Sequence, residues 1–112
     1  MSDPAALYDE ADKLKDAGKL ADAVAKLNES LLADSNYSLA HAALAVVLQK
    51  LGRHEEALTH AKRVCELDPD DPFSFTALSV TYQRAFAGTN NMAYIRMAED
   101  AMEQSRMLQS RR

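Results

Sequence analysis

Tryptophan is absent from this chain of 112 residues, and cysteine occurs once, at Cys65. A lone cysteine cannot close an internal disulfide. Cys65 falls on an apolar helical stripe, where a buried, inert thiol is expected. Glycine and proline number three each, while Ala, Leu, Glu, Lys and Asp dominate, a balance that favours helix. No run approaches the roughly 18 apolar residues that a membrane-spanning helix needs. The opening Met-Ser-Asp-Pro is polar and acidic and lacks the basic-then-apolar pattern of a secretory signal, so a cytoplasmic location is expected. No glycine-rich phosphate loop is present, because Gly18, Gly52 and Gly88 stand apart and are expected to act as breaks between paired helices.

Charge of one sign is also in short supply. The net charge is −4, divided as −4 over residues 1–37, −2 over 38–71 and +2 over 72–112. This gradient is either a solvated surface, an attraction between copies packed head to tail, or a device that orients a charged partner. The basic residues at the end, Arg106, Arg111 and Arg112, are too sparse to argue for nucleic acid.

What the chain does have is a period. Gly18 and Gly52 lie 34 residues apart, as do Ala23 and Ala57, and Leu14, Leu48 and Tyr82 form a ladder of the same step. Asp3-Pro4 and Asp71-Pro72 are separated by 68, twice that step, and each Asp is placed to cap a helix that begins with Pro. An interval of 34 predicts stacked helical hairpins, with repeats at about 4–37, 38–71 and 72–109 in a single domain over residues 1–112.

Within this frame, helices are predicted from about Pro4 to Ala17, 20 to 33, Tyr37 to Leu51, His54 to Leu67, and Pro72 to about Phe86. Leu20, Ala23, Val24, Leu27, Leu31 and Leu32 form the apolar stripe of the second helix, and Ala57, Leu58, Ala61, Val64 and Cys65 that of the fourth. Asp34-Ser35-Asn36 and Asp68-Pro69-Asp70 close the first two units. In the third unit the best match to Glu55-Glu56-Ala57-Leu58 is Glu99-Asp100-Ala101-Met102, which implies an insertion of about eight residues. The last helix is therefore expected to start near Asn90 or Asn91 and to cap the stack, with Met92, Tyr94, Ile95 and Met97 covering the end of its partner or facing another chain.

Leu44, Ala45, Leu48, Gly52, Ala57, Ala61, Val64 and Pro69 together resemble the signature of the tetratricopeptide repeat family. The first unit departs from that signature at Glu10 and Ser35. The resemblance implies an all-α fold of three stacked antiparallel helix-turn-helix hairpins in a short right-handed solenoid, its last helix extended and self-capping. It also implies that the first helices of successive units line a concave groove for a peptide or protein segment. Carried over by position, the binding residues are Tyr8 and Asp12, then Leu39, Val46, Gln49 and Lys50, then Phe73, Thr76, Val80, Gln83 and Arg84. Ala5, Lys15 and Ala42 fall on the same face. Some family members grip a chaperone's C-terminal carboxylate, but the matching positions here are Tyr8, Asp12, Ala43, Phe73 and Ala77, none of which can serve as that clamp.

The expected function is a non-enzymatic protein-interaction module or scaffold, without cofactor, metal, nucleic acid or membrane. The alternative is a homodimer that buries the groove or the last helix; in a further packing alternative, Leu39, Val46 and Phe73 lie between units or against a second copy. His54-Glu55 opens like a zinc-protease motif, yet Leu58 stands where its second His belongs. His60 is six residues from His54, on another helix face. His41 replaces an aromatic common in the family and is expected to be packed in the core. Nothing in the spacing of Cys65, His60 and His41 supports a nucleophile and its base.

Overall fold

The computed structural model describes residues 3–111; Met1, Ser2 and Arg112 lie outside them. Among the described residues there are six helices and no strand: α1 Pro4–Asp16, α2 Leu20–Ala33, α3 Ser38–Lys50, α4 His54–Leu67, α5 Pro72–Thr89 and α6 Ala93–Ser110. Asp3 accepts a hydrogen bond from the Ala5 N–H at 3.3 Å and Asp71 from the Phe73 N–H at 3.0 Å, which starts α1 and α5 as their Asp-Pro pairs predict. Gly18 and Gly52 take left-handed φ values of 80° and 79°. In each turn the residue after the glycine donates back to a carbonyl five positions earlier, Lys19 to Leu14 and Arg53 to Leu48, both at 2.8 Å. This closure satisfies carbonyls the helix leaves free, and its φ favours a residue without Cβ.

Each helix packs on its successor, and the first helices α1, α3 and α5 touch in turn, so the hairpins stack in chain order. Small residues make the close approaches. Ala23, Ala40, Ala57 and Ala85 are wholly buried, and Ser79 brings α5 so near α6 that its hydroxyl donates to the Ala98 carbonyl at 2.7 Å. Large side chains fill what remains. Leu27, Leu44, Val47 and Leu48 centre one core, and Leu58, Cys65, Leu78 and Tyr82 the other. Burial also raises the Cys65 thiol to about 11, reinforced by Asp71 and Glu66, so the expected inert thiol is what the fold produces.

Three expectations need correction. Leu32 does not join the inner stripe of α2; it is 88% exposed, because it lies five residues past the buried Leu27 and so about 140° around the helix from it. Gly88 is not a break. It lies inside α5, which has 18 residues against 13 in α3, and the left-handed residue that ends the helix is Asn90, with φ of 59°. The insertion thus lengthens both helices of the last hairpin, and α6 begins at Ala93 rather than at Asn90 or Asn91. Of the inserted side chains only Tyr94 covers its neighbour, with its ring 5.8 Å from that of Tyr82, while Met92, Ile95 and Met97 stay exposed.

Candidate functional site

The face built by α1, α3 and α5 carries two clefts, one on each side of α3. Tyr8, Asp12 and Lys15 of α1 face Leu39, Ala42, Ala43 and Val46 of α3 across the first, whose volume is 220 Å³. Tyr8 is held edge-on to Tyr37, ring centroids 6.3 Å apart, and Lys15 lies 3.3 Å from the Asp12 carboxylate. The two charges cancel locally, and the small volume accommodates a single side chain rather than a segment.

The second cleft is larger, at 440 Å³, and lies between α3 and α5. Ala42, Val46, Ala77 and Val80 line its walls and Ala61 and Val64 its floor, with Gln49, Lys50, Thr81 and Arg84 toward one end. No Asp or Glu lines it. Neither Lys50 nor Arg84 has a carboxylate within 4.0 Å among the described residues, as is true also of Lys13, Lys19, Lys62, Arg96 and Arg111, but these two are the charges that line the cleft.

Of the residues expected to bind a partner, Tyr8, Asp12, Leu39 and Val46 meet at the first cleft, and Val46, Gln49, Lys50, Val80 and Arg84 at the second. Phe73 stands outside both, 70% exposed at the start of α5. Thr76 and Gln83 point elsewhere. The Thr76 hydroxyl lies 2.8 Å from that of Ser105 on α6, and the Gln83 amide donates to the Ser79 hydroxyl at 3.2 Å. Both therefore belong to the seam between α5 and α6. Leu39, Val46 and Phe73 do not pack between units; they are 53%, 46% and 70% exposed.

One polar constellation is invisible in the spacing. His41 of α3 and His60 of α4 approach Nδ1 to Nδ1 at 2.9 Å, and the other nitrogen of His41, Nε2, lies 2.9 Å from the Ser35 carbonyl oxygen. A carbonyl only accepts, so His41 carries a proton on Nε2, and one further proton lies between the two Nδ1 atoms. Burial, and then the His41 ring, push His60 below the ordinary histidine range, against a smaller opposing pull from Glu56. His41 is buried, as expected, but as a hydrogen-bonded link between hairpin and loop rather than as a plain substitute for an aromatic. Among the described residues no group of three or more His, Cys, Asp or Glu could hold a metal ion, and no helix is long and apolar enough to cross a membrane.

Residues 14–78 match the family model described as tetratricopeptide repeat. Among solved structures, the chain is similar to the second TPR of Spaghetti (RPAP3) bound to the HSP90 peptide SRMEEVD, with a TM-score of 0.77 and 20% identity over 96% of this chain and 93% of that one. It is also similar to the MamA protein, with a TM-score of 0.72 and 15% identity over 94% of this chain and 57% of that one. No curated protein matches it by sequence. Because the family match covers more than half its length, from the first glycine turn into α5, the chain belongs to the tetratricopeptide repeat family.

Proposed function

We propose that this chain is a non-enzymatic protein-interaction module that holds a peptide or protein segment on the face made by α1, α3 and α5. The observation that carries this reading is the exposure of Leu39, Val46, Phe73 and Val80, four large apolar side chains on the first helices of two adjacent hairpins, on a face with two clefts that no side chain among the described residues fills. Apolar area gathered in this way marks an interaction surface. Each anchor buried there contributes roughly 1.5–3 kcal/mol before the costs of association.

The neighbour that binds an HSP90 peptide supports the class of function and not the ligand. In this chain an anionic chain end placed at Tyr8, Asp12 and Ala43 would meet the Asp12 carboxylate. Self-association is the competing reading, favoured by Met92 and Ile95, exposed about one helical turn apart on and just before α6.

Val46→Glu tests the proposal, since Val46 lines both clefts and is half exposed. In paired affinity capture from native lysate, partners retained by the wild type are expected to be lost from the variant while its circular dichroism is unchanged. Partners retained equally by a folded variant would remove this face from the proposal. Light scattering at low micromolar concentration addresses the competing reading, because a strict monomer excludes it.

A further inference from the structure

We infer that the cleft between α3 and α5 takes a peptide segment in which an Asp or Glu lies about two residues from an aliphatic anchor, an inference that rests on the interaction role proposed above. The cleft is polarised along the helices. Ala42, Val46, Ala77 and Val80 form an apolar cup in its middle, and Lys50 and Arg84 stand at one end. These two cations occupy equivalent places, 34 residues apart, so both helices present positive charge at the same level of the cleft.

Neither has a carboxylate partner among the described residues, and no other charged residue lines the cleft. An unpaired pair of cations beside an apolar cup is complementary to an anchor with a carboxylate next to it, and electrostatic complementarity of this kind sets register more than affinity. The spacing follows from helix geometry. Val46 and Val80 each precede their cation by one helical turn, a rise of about 6 Å, which an extended chain covers in about two residues. Gln49, whose amide makes no hydrogen bond among the described residues, stands between the cup and Lys50, where it can meet the segment's backbone. A polyanion is a poor occupant, because the chain as a whole carries −4 and the cup offers nothing to a phosphate backbone.

The first cleft lacks this character. Its Lys15 is already paired with Asp12, so it has no cation left to offer. The chemistry is therefore assigned to one side of α3 only.

A positional-scanning library of extended peptides with one fixed leucine, probed with wild type, Val46→Glu and the double variant Lys50→Glu/Arg84→Glu, tests the inference. The wild type is expected to select Asp or Glu about two positions from the leucine, on one side only, and the double variant to bind the best such peptide at least about tenfold more weakly and to prefer Lys or Arg there instead. Lys50 and Arg84 are exposed, so the double variant is expected to keep the wild-type circular dichroism. Leucine-dependent binding that Val46→Glu abolishes, but without acidic preference or with a preference the double variant retains, would overturn the inference and leave the interaction role standing. Binding that ignores Val46→Glu, or no binding at all, would overturn both.

Discussion

His41 and His60, 19 residues apart in sequence, share one proton across the α3–α4 hairpin, Nδ1 to Nδ1 at 2.9 Å, while His41 also holds the Ser35 carbonyl in the loop that joins the first hairpin to the second. The loop is tied to the same hairpin by Arg63, which donates to Asn36 at 2.9 Å, and at the start of α3 Ser38 donates to Asp68, at the end of α4, at 2.7 Å. The histidine pair is the part of this network that pH can break.

The direction of the effect follows from His60, whose folded pKa is lowered by burial and by His41. A base whose folded pKa is depressed binds its proton more readily when unfolded. Its contribution is thus complete above the unfolded value of about 6.5 and is lost as pH falls through the folded one. Urea unfolding at pH 8, 7, 6 and 5 is expected to show stability falling below about pH 6.5, with a shallower fall in His60→Gln. Parallel slopes in the two proteins would assign the acid sensitivity to other groups.

Gly88 and His54 make a second pair with a measurable signature. A Cβ at position 88 would collide with the His54 imidazole, whose Nδ1 is buried without a hydrogen-bond partner among the described residues. Inside a helix, Gly→Ala ordinarily stabilises by about 0.5–1 kcal/mol. Here the gain is expected only in the His54→Ala background; in the wild-type background Gly88→Ala is neutral or destabilising. A double-mutant cycle by urea unfolding should therefore give a coupling of about 1 kcal/mol or more, and additivity would mean the ring moves aside freely.

These two pairs also show where sequence stops being informative. Gly18 and Gly52 are legible as breaks because their reason is local, a left-handed turn closing a helix. Gly88 looks the same in sequence, but its reason is a ring from another hairpin, and no local pattern announces that contact. The alanine ladder and the Asp-Pro starts are legible because a period repeats them, so one copy interprets the next. The histidine pair has no counterpart in the other units, and Leu14, Leu48 and Tyr82 say nothing about it.

The binding face divides in the same way. Positions repeated from unit to unit locate Val46, Lys50, Val80 and Arg84 at a common cleft. Register alone also assigns Thr76 and Gln83 to that face, but Ser79 and Ser105 of the third hairpin hold both side chains at the seam with α6. Periodicity locates a position on a face, but not the hydroxyl of a neighbouring helix that turns its side chain aside.

Phe73 tests whether the exposed apolar residues belong to function rather than to the core. It stands at the place in α5 that Leu39 occupies in α3, and both are more than half exposed. Phe73→Ala and Leu39→Ala are therefore expected to shift the unfolding free energy by no more than about 0.5 kcal/mol. Leu44→Ala, whose side chain is wholly buried between the hairpins, is expected to cost about 2–5 kcal/mol. If Phe73→Ala instead loses as much as Leu44→Ala, its ring stabilises the chain itself and cannot be spare surface for a partner. A neutral substitution has the opposite force. It leaves the ring as surface available to a partner, and loss of partner binding by the folded Phe73→Ala variant is then the measurement that assigns it to the interaction face.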